Sequence, residues 1–294
     1  MDASRRPEMA RTSKPSRVPA HWLLIAVPAT VLLAFFVVPN ALLLSASFLK
    51  SEAQQLTAEP TLDNYRFLFA RPLYLEIFLR TFIVGIAVGV IDIVLGYPLA
   101  YFLVRTRSRW KGMLIALSLA PLLASVVVRT YGWYIILNRF GFANDVLLGL
   151  GLISDRIAFM PSTGAIIIGL AHALLPYTVL TIMSSINGIN PNLESAAMSL
   201  GASRTRTFFS VVLPLSLPGI AGGFILVFSI AISAYATPAI LGGPATQVAA
   251  TAIYTFIMQL LDWSLGAALA VILIVCSLLL LYAAAPLGTK QAAL

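Results

Sequence analysis

Long apolar runs separated by short polar segments dominate the pattern of this chain. Each run holds about 20 residues, enough for a helix rising about 1.5 Å per residue to cross a hydrocarbon core of about 30 Å. The pattern predicts an all-α integral membrane protein with six transmembrane helices. The predicted spans are, in chain order, residues 22–44, 81–104, 113–137, 163–186, 208–232 and 265–285.

The remaining segments complete a single-domain arrangement. Residues 1–21 are interpreted as a basic tail, residues 22–285 as one transmembrane domain and residues 286–294 as a second tail. The first apolar run is longer than the core of a cleaved signal peptide, about 7–15 residues, and shows no convincing cleavage site, so it is interpreted as a span. The apolar stretch 248–261 is too short to span, which favours a re-entrant or interfacial segment.

The polar loop 187–207, between the fourth and fifth spans, predicts a short amphipathic helix. Asn190 followed by Pro191 is typical of a helix start, because Asn accepts from free amides and Pro fits the first helical position. Gly201 can adopt the left-handed conformation that ends such a helix, and Ser203 can cap the next one. The apolar residues between them share one helical face: Leu193, Ala196, Ala197 and Leu200. Such a helix in the loop of a membrane protein is expected to dock on a partner.

Composition and charge define the environment of the chain. It is 60% hydrophobic and only 10% charged, whereas soluble proteins are about 25% charged. The net charge of +8 would suggest nucleic acid as the partner of a soluble protein; here basic loops beside membrane lipid explain it better. Both tails, the loop 105–111 and the loop 187–207 hold twelve Lys and Arg residues, against six in the alternate segments. The positive-inside rule therefore predicts that both termini and the loop 187–207 are cytoplasmic.

Few residues in the chain could carry catalysis. The phosphate-binding pattern Gly-x-x-x-x-Gly-Lys-Ser/Thr is absent, so ATP hydrolysis would need a separate subunit. Two histidines, the single Cys276 and no clustered carboxylates within the spans give no basis for a metal site or a disulfide framework. The sequence predicts no cofactor, no metal and no enzymatic activity.

Two charged residues lie deep within predicted spans, Asp92 and Arg129. Gly85, Gly89, Asp92 and Gly96 share one helical face, and small residues on that face predict that it points into the bundle. A charge at mid-membrane is a functional candidate by default. Asp92 either lines a substrate pathway or bonds to a neighbouring Ser, Tyr or Arg. The predicted depths of Arg129 and Asp92 in the membrane differ by about 5 Å, so the long Arg129 side chain could reach the Asp92 carboxylate.

The loop carries a spaced pattern with the elements Ser195-Ala196-Ala197, Gly201 and Val211-x-Leu213-Pro214. It resembles the "EAA" loop of permease subunits of ATP-binding-cassette importers. That motif consists of Glu-Ala-Ala, three residues, Gly, nine residues, a β-branched residue, any residue and Leu-Pro. The position of the motif's glutamate holds Ser195, and the carboxylate lies one residue earlier, at Glu194.

The resemblance implies the transmembrane domain of a type I importer in a bacterial inner membrane. The helix at 191–200 would be the cytoplasmic coupling helix, and the residues implied in ATPase coupling are Leu193, Glu194, Ser195, Ala196, Ala197, Leu200, Gly201 and Pro214. The implied partners are two ATP-binding subunits, an extracytoplasmic solute-binding protein and a second permease subunit, expected to be a different chain.

Two further stretches resemble the spermidine/putrescine-type subfamily of these permeases, Arg129-Thr130-Tyr131-Gly132-Trp133 and the segment 235–244. The resemblance implies import of a polyamine or related amine. Trp133 could equally belong to an interfacial aromatic belt. Together with the charged residues, the candidates for the substrate pathway are Asp92, Arg129, Tyr131, Trp133 and Tyr235.

Two alternatives remain open. The same machinery could import another solute, such as an amino-acid derivative, a phosphonate or an iron complex. A secondary transporter would be a different class, but it needs coupling charges along several spans, and only Asp92 and Arg129 are found there.

Overall fold

The computed structural model of the protein describes residues 20–52 and 55–289. Most of the predicted basic tail 1–21 and the end of the predicted tail 286–294 lie outside the described residues. The described residues up to Ser45 form one unit, which is largely one long apolar helix, and the residues from Ala46 onward form a second.

Helices make up nearly all of the described chain. In chain order they are α1 (Ala20–Leu32), a π-helical turn (Leu33–Val37), α2 (Val38–Ser47), α3 (Asp63–Ala70), α4 (Pro72–Arg105), α5 (Lys111–Leu123), α6 (Val126–Leu137), α7 (Phe142–Gly149), α8 (Thr163–Asn187), α9 (Pro191–Ser199), α10 (Arg204–Thr207), a second π turn (Phe208–Val212), α11 (Leu213–Ser233), α12 (Ala236–Leu241), a 3-10 turn (Pro244–Thr246), α13 (Ala249–Tyr254), a third π turn (Thr255–Gln259) and α14 (Trp263–Thr289).

One small sheet departs from the predicted all-α fold. Strands β1 (Leu49–Glu52) and β2 (Gln55–Pro60) pair as an antiparallel hairpin between α2 and α3. The amide of Asn64 on α3 donates to the carbonyls of Ser47 and Leu49, both at 2.9 Å, which ties the hairpin to that helix. The hairpin falls in the polar segment before the second predicted span.

The centre of the second unit is a bundle of α4, α8 and α11. The face of α4 that carries Gly89 and Asp92 is buried there, as the glycine spacing indicates. A Cβ atom at Gly89 would lie 2.7 Å from the ring of Phe224 on α11, so any side chain there would force that ring to shift. Near one end of the bundle, the hydroxyl of Tyr97 hydrogen-bonds that of Ser216 at 2.8 Å.

A second apolar cluster joins the start of α4 to the last helices of the chain. Leu68, Tyr74, Phe256 and Leu269 are buried in it. The backbone amide of Ala249 donates to the hydroxyl of Thr81 on α4 at 2.8 Å. These contacts explain why α4 begins at Pro72, well before the predicted start of the span at residue 81: its first turns pack against protein as well.

The third predicted span, 113–137, is not one helix in the structure. Helix α5 ends at Leu123 and α6 begins at Val126, and the direction of α5 differs by 95° from that of the segment Val126–Gly149. Pro121 lies in the last turn of α5, where its missing amide weakens the helix. Arg129 on α6 donates to the carbonyl of Pro121, which satisfies an oxygen left free where α5 ends.

Within the described chain, five helical segments are long and apolar enough to cross a membrane, and the bent pair makes six if it is counted as one span. The five are Ile25–Ser47, Pro72–Arg105, Thr163–Asn187, Arg204–Ser233 and Trp263–Tyr282. The stretch predicted as re-entrant or interfacial, 248–261, contains only the short α13 and a π turn.

Candidate functional site

The loop between α8 and α11 folds as the local sequence predicts. The side chain of Asn190 accepts from the amide of Asn192 at 3.0 Å, and Pro191 occupies the first position of α9. The hydroxyl of Ser203 accepts from the amide of Arg206 at 3.2 Å and caps α10. Each cap satisfies an amide that has no partner within its own helix.

Gly201 separates α9 from α10 in the left-handed region, with φ of +90°. The amide of Ala202 donates back to the carbonyl of Ala197 at 3.1 Å, and that of Gly201 to Met198 at 3.0 Å, which closes the end of α9. A residue with a side chain would be strained at this φ. The bend between the two helices therefore depends on glycine.

Helix α9 turns an apolar stripe away from the rest of the protein. Leu193 and Ala196 are exposed, and the side chain of Leu200 is 90% exposed. Ala197, predicted on the same stripe, is half-buried. The outward stripe is thus narrower than the sequence suggests, and within the single chain it makes little contact.

Glu194 lies on the inward side of the same helix. Its carboxylate forms an ion pair with the guanidinium of Arg105, the last residue of α4. The hydroxyl of Tyr101, one turn earlier on α4, donates to the other carboxylate oxygen at 3.4 Å. The Glu194 and Arg105 side chains are only 16% and 24% exposed. A cavity of about 220 Å³ adjoins the pair and is also lined by Arg204.

The two remaining positions of the motif have local roles. Ser195, where the motif has its glutamate, is exposed, and its hydroxyl donates to the carbonyl of Pro191 at 3.4 Å. Pro214 lies in the first turn of α11, half-buried. Because Pro214 has no amide to donate back to Ser210, a π turn is accommodated just before it, and the helix still continues.

Asp92 is fully buried at the centre of the α4, α8 and α11 bundle. Neither carboxylate oxygen has a hydrogen-bond partner among the described residues, and the nearby helix α8 contributes a second buried group without one, the hydroxyl of Thr178. Cβ atoms at the flanking Gly89 and Gly96 would meet the side chains of Phe224 and Leu175. The carboxyl therefore lies in largely apolar surroundings.

Arg129 does not pair with Asp92 in the structure. Its guanidinium donates to the carbonyl of Pro121 and, at 3.5 Å, to that of Ala173 on α8. The pairing considered from the sequence assumed one straight helix over 113–137, and the 95° bend after Leu123 removes that basis. Arg129 instead joins α6 to α5 and α8.

The aromatic candidates occupy different places. The indole of Trp133 donates to Nδ1 of His172 at 3.2 Å, which binds α6 to α8. Tyr131 is exposed and has its ring 6.0 Å from that of Tyr134. Tyr235 lines a cavity of about 310 Å³ and lies with its ring 4.6 Å from that of Tyr254.

The pathway candidates therefore do not form one cluster, and Tyr235 alone among them lines this cavity. Four of the residues that complete it, Pro238, Ala239, Gly243 and Pro244, lie in the segment 235–244 that the sequence singled out. Sequence reasoning missed the others, which are also uncharged: Gln247, Thr251, Tyr254, Thr255 and Gln259. It also missed Arg105 and Tyr101 as partners of Glu194. The only feature of the sequence that could have indicated Arg105 and Tyr101 is their place at the basic end of the second predicted span. Among the described residues, no three His, Cys, Asp or Glu side chains lie close enough to hold a metal.

Residues 19–287 match the family described as "Binding-protein-dependent transport system inner membrane component". The chain belongs to this family. It is therefore an inner-membrane permease of the ATP-binding-cassette import systems, which confirms the family inferred from the EAA-type loop.

Named relatives cover most of this permease. The spermidine/putrescine transport system permease protein PotB of Escherichia coli K12 is 35% identical over 252 residues, 85% of this chain and 91% of the relative. The inner membrane ABC transporter permease protein YdcU of the same organism is 34% identical over 64% of each chain. The ferric transport system permease protein FbpB of Actinobacillus pleuropneumoniae is 27% identical over 66% of this chain, but the match spans only 28% of that relative.

Solved structures confirm the fold. A bacterial alginate ABC transporter in complex with an alginate-pentasaccharide-bound periplasmic protein superposes with a TM-score of 0.76 and 19% identity, covering 92% of this permease and 95% of that chain. The MetNI methionine ABC transporter, in an inward-facing conformation, gives a TM-score of 0.59 and 15% identity, covering 77% and 97%. At these identities the likeness establishes the type I importer fold.

Proposed function

We propose that this permease forms half of the translocation path of an ATP-driven importer for a polyamine or a related amine. We further propose that α9 docks on a separate ATPase and is moved by its conformational change. The observation that carries the docking role is the apolar stripe of Leu193, Ala196 and Leu200, which faces away from the protein on a helix capped by Asn190. The amine substrate rests on the similarity to PotB over 85% of the chain.

The orientation follows from the basic residues. The cluster 105–111 and the loop around α9 are the two basic connections between spans, and the ion pair of Arg105 with Glu194 supports their lying at the same end of the bundle. The positive-inside rule assigns that end, and with it both termini, to the cytoplasm. An ATPase in the cytoplasm can then reach the exposed stripe.

Docking would follow the helix-in-groove mode, in which the apolar face of a short helix enters a groove of its partner. Closure of two ATP-binding subunits moves α9, and the direct continuation of α10 through the π turn into α11 passes that motion to the bundle. A second permease subunit, expected to be a different chain, supplies the other half of the path. An extracytoplasmic binding protein delivers the solute, as the complex of the alginate transporter with its periplasmic protein illustrates.

The cavity beside Tyr235 is the best supported place for the substrate within this chain. The paired rings of Tyr235 and Tyr254 can attract an organic cation through their faces. The side-chain oxygens of Gln247 and Gln259 add hydrogen-bond acceptors for ammonium groups. No charged side chain lines the cavity among the described residues, so a polyamine would need acidic groups from the second permease to balance its full charge.

Asp92, Arg129, Tyr131 and Trp133 remain candidates for the pathway, although they lie apart from this cavity. Fully buried Asp92 would meet solute only if α4, α8 and α11 separate during the cycle. The similarity to FbpB, named for ferric transport, keeps an iron complex as the second candidate solute.

Uptake measurements test the substrate. The gene is deleted, and uptake of radiolabelled spermidine, putrescine and a ferric complex is measured with and without the restored gene. We expect restoration of amine uptake alone, and the binding protein encoded nearby should hold a polyamine when it is purified. Recovery of ferric uptake, with amine uptake unchanged throughout, would refute the amine assignment but not the docking role.

Co-purification with the ATPase tests docking. Gly201→Pro should abolish it, because proline fixes φ near −65° while the backbone at Gly201 has φ of +90°. Gly151→Pro is the matched control, since Gly151 also has a positive φ, +67°, but lies in the connection between α7 and α8. ATPase recovery unaffected by Gly201→Pro would contradict the assignment of α9 as the docking helix.

A further inference from the structure

The acidic residue of α9 is Glu194, one position before the glutamate position of the EAA motif, and docking on an ATPase does not explain this shift. One residue corresponds to about 100° around a helix, so the step from Ser195 to Glu194 moves the acidic group to another face. Ser195 is exposed beside the outward stripe, whereas the Glu194 side chain is only 16% exposed. In this chain the acid of the loop is thus directed at its own membrane domain.

The side chains around Glu194 hold its carboxylate in place against α4. One carboxylate oxygen is in ion-pair contact with the guanidinium of Arg105, and the other accepts from the hydroxyl of Tyr101. The contact with Arg105 is ionic, because the oxygen that faces Arg105 has no hydrogen-bond partner among the described residues. The ring of Phe208, at the start of the second π turn, packs edge-on against Tyr101 with centroids 5.3 Å apart and against Tyr97 at 5.6 Å. Shielding from water strengthens the attraction between the charges.

The backbone connections of α9 to its neighbouring helices both contain glycine. On one side, Gly188 and the segment to Asn190 join it to α8; on the other, Gly201 joins it to α10. Helix α9 also packs against α10 and the second π turn, but neither contact ties it to α4. The ion pair adds an attachment to the end of α4, whose 34 residues pack on both α8 and α11.

We propose that the Glu194–Arg105 pair, seated by Tyr101, is a mechanical latch that passes the motion of α9 directly to α4. This inference rests on the proposed docking of α9 on an ATPase. Glu194 is a positioning residue, because it acts through Arg105 and touches neither nucleotide nor solute. The outward stripe then makes the ATPase contact, while the inward pair prevents α9 from turning in place.

The test uses the complete reconstituted importer with its binding protein. Glu194→Gln and Arg105→Gln should each retain ATPase co-purification and binding-protein-stimulated ATP hydrolysis, but lower the solute imported per ATP hydrolysed roughly tenfold. The reversed pair, Glu194→Arg with Arg105→Glu, should restore most of that ratio. Arg156→Gln is the matched control, since it breaks the Arg156–Asp145 pair, with atoms 2.8 Å apart, away from α9; its ratio should stay at the wild-type value.

The outcomes separate the latch from the docking role. Normal transport per ATP in both single variants would overturn the latch, as would a reversed pair that assembles but restores nothing. Loss of ATPase co-purification in Glu194→Gln with retention in Arg105→Gln would show that Glu194 contacts the ATPase instead. Should a single variant fail to assemble, the reversed pair decides: restored assembly and coupling support the latch, and failure overturns it. Absence of co-purification for the wild-type importer itself would refute the proposed function.

Discussion

Replacement of Leu200 by alanine isolates the contribution of the outward stripe. The Leu200 side chain is 90% exposed, so its truncation removes almost no contact within the permease. The free energy of unfolding of the permease should therefore change by no more than about 0.5 kcal/mol. If the side chain is buried in a groove of the ATPase, the loss of three carbon atoms at about 0.8 kcal/mol each weakens docking by about 2 kcal/mol. That corresponds to a roughly thirtyfold higher Kd.

The assay is titration of the ATPase onto the two-permease complex in lipid nanodiscs, with thermal unfolding of the same samples. Leu150→Ala is the matched control: Leu150 is 68% exposed at the end of α7, in the connection between spans that the positive-inside rule assigns to the opposite side. Its Kd should equal that of the wild type. A Kd for Leu200→Ala within about twofold of the wild type, or an equal loss in Leu150→Ala, would refute the assignment of the stripe.

Other substitutions probe the bundle and the cavity. Asp92→Asn should leave assembly and thermal stability intact, since it keeps the shape of a buried carboxyl group that has no hydrogen-bond partner among the described residues, but it should impair uptake; normal uptake would make Asp92 purely structural. Gly89→Val should lower stability by about 1–3 kcal/mol, because its Cβ would lie 2.7 Å from a phenyl ring, whereas Gly222→Ala, where a Cβ meets nothing within 4 Å, should not. Tyr235→Leu should raise the KM for amine uptake roughly five- to tenfold through loss of a cation–π contact, against no change in the exposed control Tyr282→Leu.

Local structure around α9 was predictable because neighbouring residues determine it. The caps at Asn190 and Ser203 and the left-handed Gly201 depend on hydrogen bonds and steric limits within a few residues. The same holds for the apolar runs, whose length reflects the thickness of the membrane. In each case the energy that decides the conformation comes from the segment itself or from its solvent.

The break after α5 was not predictable on the same basis. Pro98, Pro176 and Pro218 lie inside helices that continue through them, whereas α5 ends two residues after Pro121. A proline weakens every one of these helices, and the surroundings determine whether the chain turns. Here Arg129 reaches back across the bend to the carbonyl of Pro121, a contact that exists only once α6 has changed direction.

The sequence by itself determined that an acidic residue lies one position away from that of the family motif, and hence about 100° around the helix. It also determined the caps of α9 and the lengths of the apolar runs, since both depend on residues close together in the chain. Only the tertiary structure decided that Glu194 meets Arg105 and that Asp92 does not meet Arg129. Those outcomes depend on the crossing of α4, α8 and α11 and on a 95° bend, and both arise from packing between segments far apart in the chain.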